Sequence, residues 1–191
     1  MKKGLIITLA VIAVVLLLGG MYCISTYNGL IKLNEEVDAK YSDISVQLER
    51  RADLIPNLVN TVKGYAKHEK DIFENVSKAR SELMNAKDIN GKAAANAKLD
   101  KAVVNLLAIA ENYPDLKANK NFIQLQDELA GTENRITQAR KAYNDSVKDF
   151  NKNIKSFPKN LIAKSANLET REYFEVAPEK EAVPEVDFGE K

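Results

Sequence analysis

Residues 47–63 read QLERRADLIPNLVNTVK, with Pro56 standing inside an otherwise unbroken amphipathic pattern. Arg50 and Arg51 precede the proline by six and five residues, and Asp53 precedes it by three. Proline disfavours helical backbone at the residue before it, here Ile55, but is tolerated in a helix's first turn. A helix running through from residue 28 to 88 would be a rod of about 90 Å with no partner long enough to cover it. The charges fit a break. Two arginines would sit beside the carbonyls of a last turn, and Asp53 would sit at the start of a new helix. The local rules therefore predict a corner at residues 52–57.

Outward from that point, apolar residues recur every three or four positions, the mark of amphipathic helices. One stripe runs through Leu30, Leu33, Val37, Tyr41, Ile44, Leu48 and Ala52, and a second from Ile55 to Leu83. The second is expected to stop at the Asn90-Gly91 pair, a strong turn signal. A third stripe runs from Ala93 to Tyr113, and a fourth from Phe122 to Phe157. Helices are expected at about 27–52, 55–88, 92–112 and 119–156. The near-heptad spacing predicts packing at about 20° from antiparallel. The aromatic residues Tyr41, Tyr65, Phe73, Phe122, Tyr143 and Phe150 read as core. Asn28, Asn57, Asn60, Asn105, Asn134 and Asn144 lie at or beside the stripes, where paired amides fix helix register.

The N-terminus differs in kind. After residues 1–3, the run GLIITLAVIAVVLLLGGMYCISTYNGLI carries no charge before Lys32, and residues 4–26 are long enough for a transmembrane helix. The length of the run and the lack of an A-x-A cleavage pattern favour a retained anchor over a signal peptide. Lys2 and Lys3 against Lys32 and Lys40 give a small positive-inside bias, favouring a cytoplasmic N-terminus and a bundle outside the cytoplasm. Cys23 is the single cysteine and follows Met21-Tyr22, not the small residues of a lipoprotein site. It reads as a thiol near the membrane boundary.

At the other end, residues 158–191 hold three of the five prolines, and from Glu175 onward there are six acids against two lysines. This segment is expected to be an irregular acidic tail, with a short ordered return near residues 160–176. The expected fold class is all-α: an N-terminal transmembrane helix, then an antiparallel four-helix up-down bundle with long helices and an irregular C-terminal tail.

Composition narrows the function. Lys+Arg number 28 against 27 Asp+Glu, for a net charge of +1, so the basic excess of a nucleic-acid binder is missing. His68 is the one histidine, which excludes a multi-histidine metal site, and Tyr65 stands where a Glu-x-x-His pair needs its acid. His68 reads as a solvated surface residue. No phosphate loop or G-x-S-x-G motif occurs. No catalytic set, metal site or cofactor is expected.

A corner at residues 52–57 would share one end of the bundle with the corner at 112–119 (NYPDLKAN). That end would gather Arg50, Arg51, Asp53, Asp115 and Lys117 as a candidate protein-interaction tip. In GTENRITQAR, the residues Glu133, Asn134 and Arg135 form a candidate polar network with a neighbouring helix.

The combination of RRADLIPNLV, YPDLKAN, TENRI and EYFE, with the stretch from Tyr27 to Glu69 around the first, resembles the bacterial LemA family. The resemblance covers Tyr27 to about Phe188 and the preceding apolar run. It implies a single-pass membrane protein with a soluble antiparallel helical bundle, with no established enzymatic activity, cofactor or catalytic residues. It also implies kinship with proteins of magnetosome membrane formation and genes near membrane metalloproteases. The family's short N-terminus is described as extracellular, opposite to the charge count here. The expected function is a membrane-anchored, non-enzymatic scaffold or adaptor of the bacterial cell envelope. The alternatives are a self-associating architectural membrane protein, and a ligand sensor or unrecognised enzyme in the bundle core. The expected partners are the lipid bilayer through residues 4–26 and a protein, either a membrane protease system or a further copy of the chain, with no nucleic acid.

Overall fold

The computed structural model describes residues 2–175, with side chains from Gly4 onward. The elements are α1 (Lys2–Lys63), α2 (Lys70–Asn85), α3 (Ile89–Ala110), α4 (Pro114–Lys117), α5 (Lys120–Lys155) and α6 (Lys159–Ser165). Among the described residues no strand forms. The fold is all-α: a long apolar N-terminal helix leads into an up-down arrangement of α1, α2, α3 and α5.

The expected corner at residues 52–57 does not exist. α1 runs for 62 residues, about 93 Å, straight through Pro56. Proline lacks the N–H that would bond the carbonyl four residues earlier, at Ala52. Here Arg80 of α2 takes its place, its Nε donating to the Ala52 carbonyl at 2.7 Å. The guanidinium also lies 3.8 Å from the carboxylate of Asp53. Beyond the proline the apolar stripe continues unbroken, with Ile55, Leu58, Val59 and Val62 buried while Pro56 faces outward. Burying four such side chains stabilises the fold by about 1.5–3 kcal/mol each, more than the roughly 3 kcal/mol that an interior proline costs. The helices expected at 27–52 and 55–88 are thus replaced by α1 and the shorter α2.

The first reversal comes at residues 64–69, where the Val62 carbonyl accepts from the amides of Tyr65 and Ala66 and closes the last turn of α1. The second lies at residues 86–88, ahead of the Asn90-Gly91 pair expected to form it. Asp88 is extended and its carboxylate accepts from the Gly91 amide at 2.7 Å. An N-cap so placed draws Asn90 and Gly91 into the first turn of α3. The third reversal, residues 111–119, carries the single turn α4, and Asn119 caps α5 by accepting from the amides of Asn121 and Phe122.

α1 and α5 form the longest antiparallel pair, and their register is constant. Asn119 donates to the Tyr65 hydroxyl at 2.9 Å, Arg51 donates to Glu133 at 2.6 Å, and the Tyr41 and Tyr143 rings lie 6.2 Å apart. Moving down α1 by 14 residues and then by 10 moves up α5 by the same 14 and 10. The same register brings Ile154, at the end of α5, opposite Leu30.

After α5 the chain makes the short ordered return expected near residues 160–176, beginning with the seven-residue helix α6. α6 packs against α5 and α1 with Ala163 buried, and residues 166–175 then run back along α1 and α5. Residues 176–191, expected to be an acidic extended tail, lie outside the described residues.

Candidate functional site

The polar interior centres on Arg51, buried at 5% exposure about three turns before the end of α1 at Lys63. It occupies the seam itself, between Leu48 and Ile55, so its guanidinium enters the bundle. There it donates to Glu133 of α5, pairs with Asp100 of α3, and donates to the Asn96 amide oxygen at 3.1 Å. Asn96 in turn donates to Asp100 at 3.2 Å. Burial pushes the Asp100 carboxyl above its usual value of 3.8, and the Arg51 charge only partly offsets this. With Arg80 of α2 on Ala52 and Asp53, three consecutive residues of α1 hold all three other long helices. Lys92 adds a tie between α3 and α1, to Ser45 at 2.9 Å.

A second device holds the C-terminal segment. Asn151 of α5 donates to the Arg171 carbonyl and accepts from the Arg171 amide, both at 2.8 Å. Asn144 does the same to Phe174, at 3.3 and 2.8 Å. Seven helical residues span about 10.5 Å, and three extended residues span about 10 Å, so the two asparagines match the repeat of the extended segment. The Tyr143 hydroxyl donates to the Glu172 carbonyl at 2.8 Å, and its burial raises its pKa. Arg171 crosses to α1, bonding Asn34 and pairing with Asp38, while Phe174 is buried. A depression of about 400 Å³ lies beside this segment, between Tyr41, Ile89, Tyr143 and Arg171.

The expected tip residues are therefore not one group. Arg50 and Asp53 lie exposed on α1 about three turns short of its end, Arg51 is internal, and only Asp115 and Lys117 lie at the bundle's far end. Two reversals still meet there, joined by Tyr65 and Asn119. Lys117 pairs with Glu111 at 2.6 Å. Of the expected polar network, Glu133 bonds Arg51, while Asn134 and Arg135 are exposed. Among the described residues, no group of three His, Cys, Asp or Glu side chains is placed to hold a metal ion.

The chain matches the model of the LemA family over residues 40–188. It belongs to the LemA family. The match takes in the polar node and both asparagine clamps. Among curated proteins, the LemA chain is similar to Magnetosome protein MamQ 1 of Paramagnetospirillum magneticum, 26% identical over 178 residues, covering 80% of this chain and 65% of that protein. Magnetosome protein MamQ of Magnetospirillum gryphiswaldense matches at the same identity and coverage. Protein LemA of Metamycoplasma hominis is 27% identical over 118 residues, covering 61% of this chain and 54% of that protein. The chain thus spans just under two thirds of the length of the MamQ relatives.

Two sets of residues in this LemA chain escape a reading of local pattern. Asn96 and Asn151 are the buried asparagines, whereas Asn28, Asn57, Asn60, Asn105 and Asn134 are exposed. The signal for Arg51 is its position: 44, 48, 51, 55, 58 and 62 form an alternating four-three seam. The signal for the clamp is the seven-residue spacing of Asn144 and Asn151 on one face of α5.

Proposed function

We propose that this LemA protein is a membrane-anchored, non-enzymatic scaffold or adaptor of the bacterial cell envelope, with its interaction surface at the far end of the bundle. The observation that carries the reading is the continuity of α1. One helix is long and apolar enough to cross a membrane, with none of its apolar window buried, and the same helix reaches the far reversal without a break. From Tyr27 to Lys63 it spans about 54 Å, so the far end stands at a fixed height above the anchor. Exposed Tyr65, His68, Asp115 and Lys117 gather there on two short reversals. The locked node at Arg51 supports a rigid spacer rather than a moving catalyst.

In this reading residues 4–26 cross the cytoplasmic membrane, and Lys2 and Lys3 hold the N-terminus inside, leaving the bundle outside the cytoplasm. Photo-crosslinking residues placed at Tyr65 and Lys117 are expected to capture a protein in living cells, while the same residue at Asn90, in the α2–α3 turn, does not. Equal capture at both ends, or none at either, contradicts it. Protease digestion of spheroplasts is expected to remove the bundle, and its survival there contradicts the orientation.

Similarity to proteins named for the magnetosome favours a second reading, in which copies of the chain associate and organise membrane. Sizing of the detergent-solubilised full chain separates the two. The adaptor reading expects a monomer, and the architectural reading a defined oligomer.

A further inference from the structure

The end of α5 is where charge, exposure and register coincide. The constant α1–α5 register sets Lys155, the last residue of α5, opposite Gly29, where the uncharged stretch of α1 is ending, and Phe157 follows two residues later. At 81%, Phe157 is the most exposed large apolar side chain among the described residues, and Leu161 on α6 is 61% exposed. Residues 150–168 contain four lysines, Lys152, Lys155, Lys159 and Lys164, and no acid. The chain as a whole carries only +1, so this is a local basic cluster. Neighbouring apolar and basic side chains of this kind suit a membrane interface, where aromatic rings sit at headgroup level and lysine stems reach outward to phosphate.

We infer that the end of α5 and α6 form a foot resting in the lipid headgroup layer beside the span, with Phe157 and Leu161 inserted and the four lysines on anionic phospholipid. This inference rests on the reading of residues 4–26 as a membrane span. The span delivers the foot to the surface, and the surface charge of anionic lipid draws the lysines. Two contacts with the bilayer, one through α1 and one through the foot, fix the bundle's tilt, because both hang on the rigid α1–α5 pair. Residues 150–168 hold no acid to meet these lysines, so a second copy of this chain laid over them would face them with its own lysines.

The chain has no tryptophan, so a single one reports its own surroundings. Full-length Phe157→Trp, Tyr22→Trp and Tyr65→Trp variants are reconstituted in brominated phosphatidylcholine vesicles, with and without phosphatidylglycerol. The expected result is strong quenching and a blue-shifted emission at position 22, none at 65, and quenching at 157 that rises with phosphatidylglycerol. Adding Lys155→Glu, Lys159→Glu and Lys164→Glu is expected to abolish quenching at 157 and leave it intact at 22. Quenching at 22 without quenching at 157 overturns the foot and leaves the span standing. Absence of quenching at 22 overturns the span itself. A blue shift at 157 without quenching means that protein covers it, and overturns the lipid assignment. Quenching at 157 that ignores lipid charge overturns the role of the lysines.

Discussion

Arg80 Nε donates to the carbonyl of Ala52 at 2.7 Å, and that carbonyl is the acceptor left without its helical donor by Pro56. The bond couples a local defect in α1 to the docking of α2. Replacing Arg80 by alanine is expected to destabilise the fold by about 1.5–3 kcal/mol, the range for a hydrogen bond from a charged donor. In a Pro56→Ala background the alanine N–H reclaims the Ala52 carbonyl, so the same change should cost distinctly less. A double-mutant cycle on the full chain measures this, with a coupling of about 1 kcal/mol or more expected. Additive costs would show that Arg80 does not repair the helix.

Arg51 is expected to be the most sensitive charged position. Its replacement by alanine removes the cation paired with both Asp100 and Glu133 and costs about 2–4 kcal/mol, a figure reduced because the two acids are partly solvated. Lysine cannot serve Glu133, Asp100 and Asn96 from one point charge, and is expected to recover only part of the loss. Arg51→Met with Asp100→Leu and Glu133→Gln removes the three charges of the node together and should recover most of the loss. Thermal unfolding by circular dichroism checks all three.

The Asp100 carboxyl has a raised pKa because burial outweighs the attraction of Arg51. The folded chain therefore holds this proton more tightly than the unfolded chain. Its contribution to stability is present below the ordinary carboxylate value of 3.8 and is lost as pH rises through the folded value. Relative to Asp100→Asn, the parent should lose stability as pH goes from acid toward neutral. Unfolding midpoints of the two proteins across that range provide the comparison. A relative gain with rising pH would mean that the ion pair, not burial, governs the site.

Asn144→Ala and Asn151→Ala each remove a paired donor and acceptor from the backbone of the C-terminal segment. Each is expected to weaken docking by about 1 kcal/mol, raising the open fraction about fivefold. Tryptic cleavage after Arg171 should accelerate by a similar factor, because slow proteolysis follows the open population. Unchanged cleavage would show that Phe174 alone anchors the segment.

Much of the helical content is legible in the sequence because it is local. The first, third and fourth three-four apolar stripes fall on α1, α3 and α5, the fourth running two residues past the end of α5 to exposed Phe157, while the second spans the end of α1, the reversal at 64–69 and α2. What misleads is non-local compensation. A rule that reads only residues 52–57 counts the N–H lost at Pro56 and cannot see a donor 24 residues away at Arg80. It also reads Arg50 and Arg51 as surface charge, although Arg51 lies in the apolar seam and its partners are 49 and 82 residues further along. At Asn90-Gly91 two local rules compete, and the Asp88 cap wins because it satisfies an orphan amide of α3. The candidate tip suffered most. Its membership depended on the corner, and with the reversal moved to residues 64–69 only Asp115 and Lys117 remain at that end.

The continuity of α1 is the claim on which the spacer, the register and the far-end surface all depend. It is tested by spin labels at Glu36 and Lys63 in a Cys23→Ser background, both exposed positions on α1, with the separation read by double electron–electron resonance in reconstituted full-length protein. Twenty-seven residues of unbroken helix predict about 40 Å between the backbones. A chain folded back near Pro56 would bring them to within about 20 Å, and that distance would contradict the account.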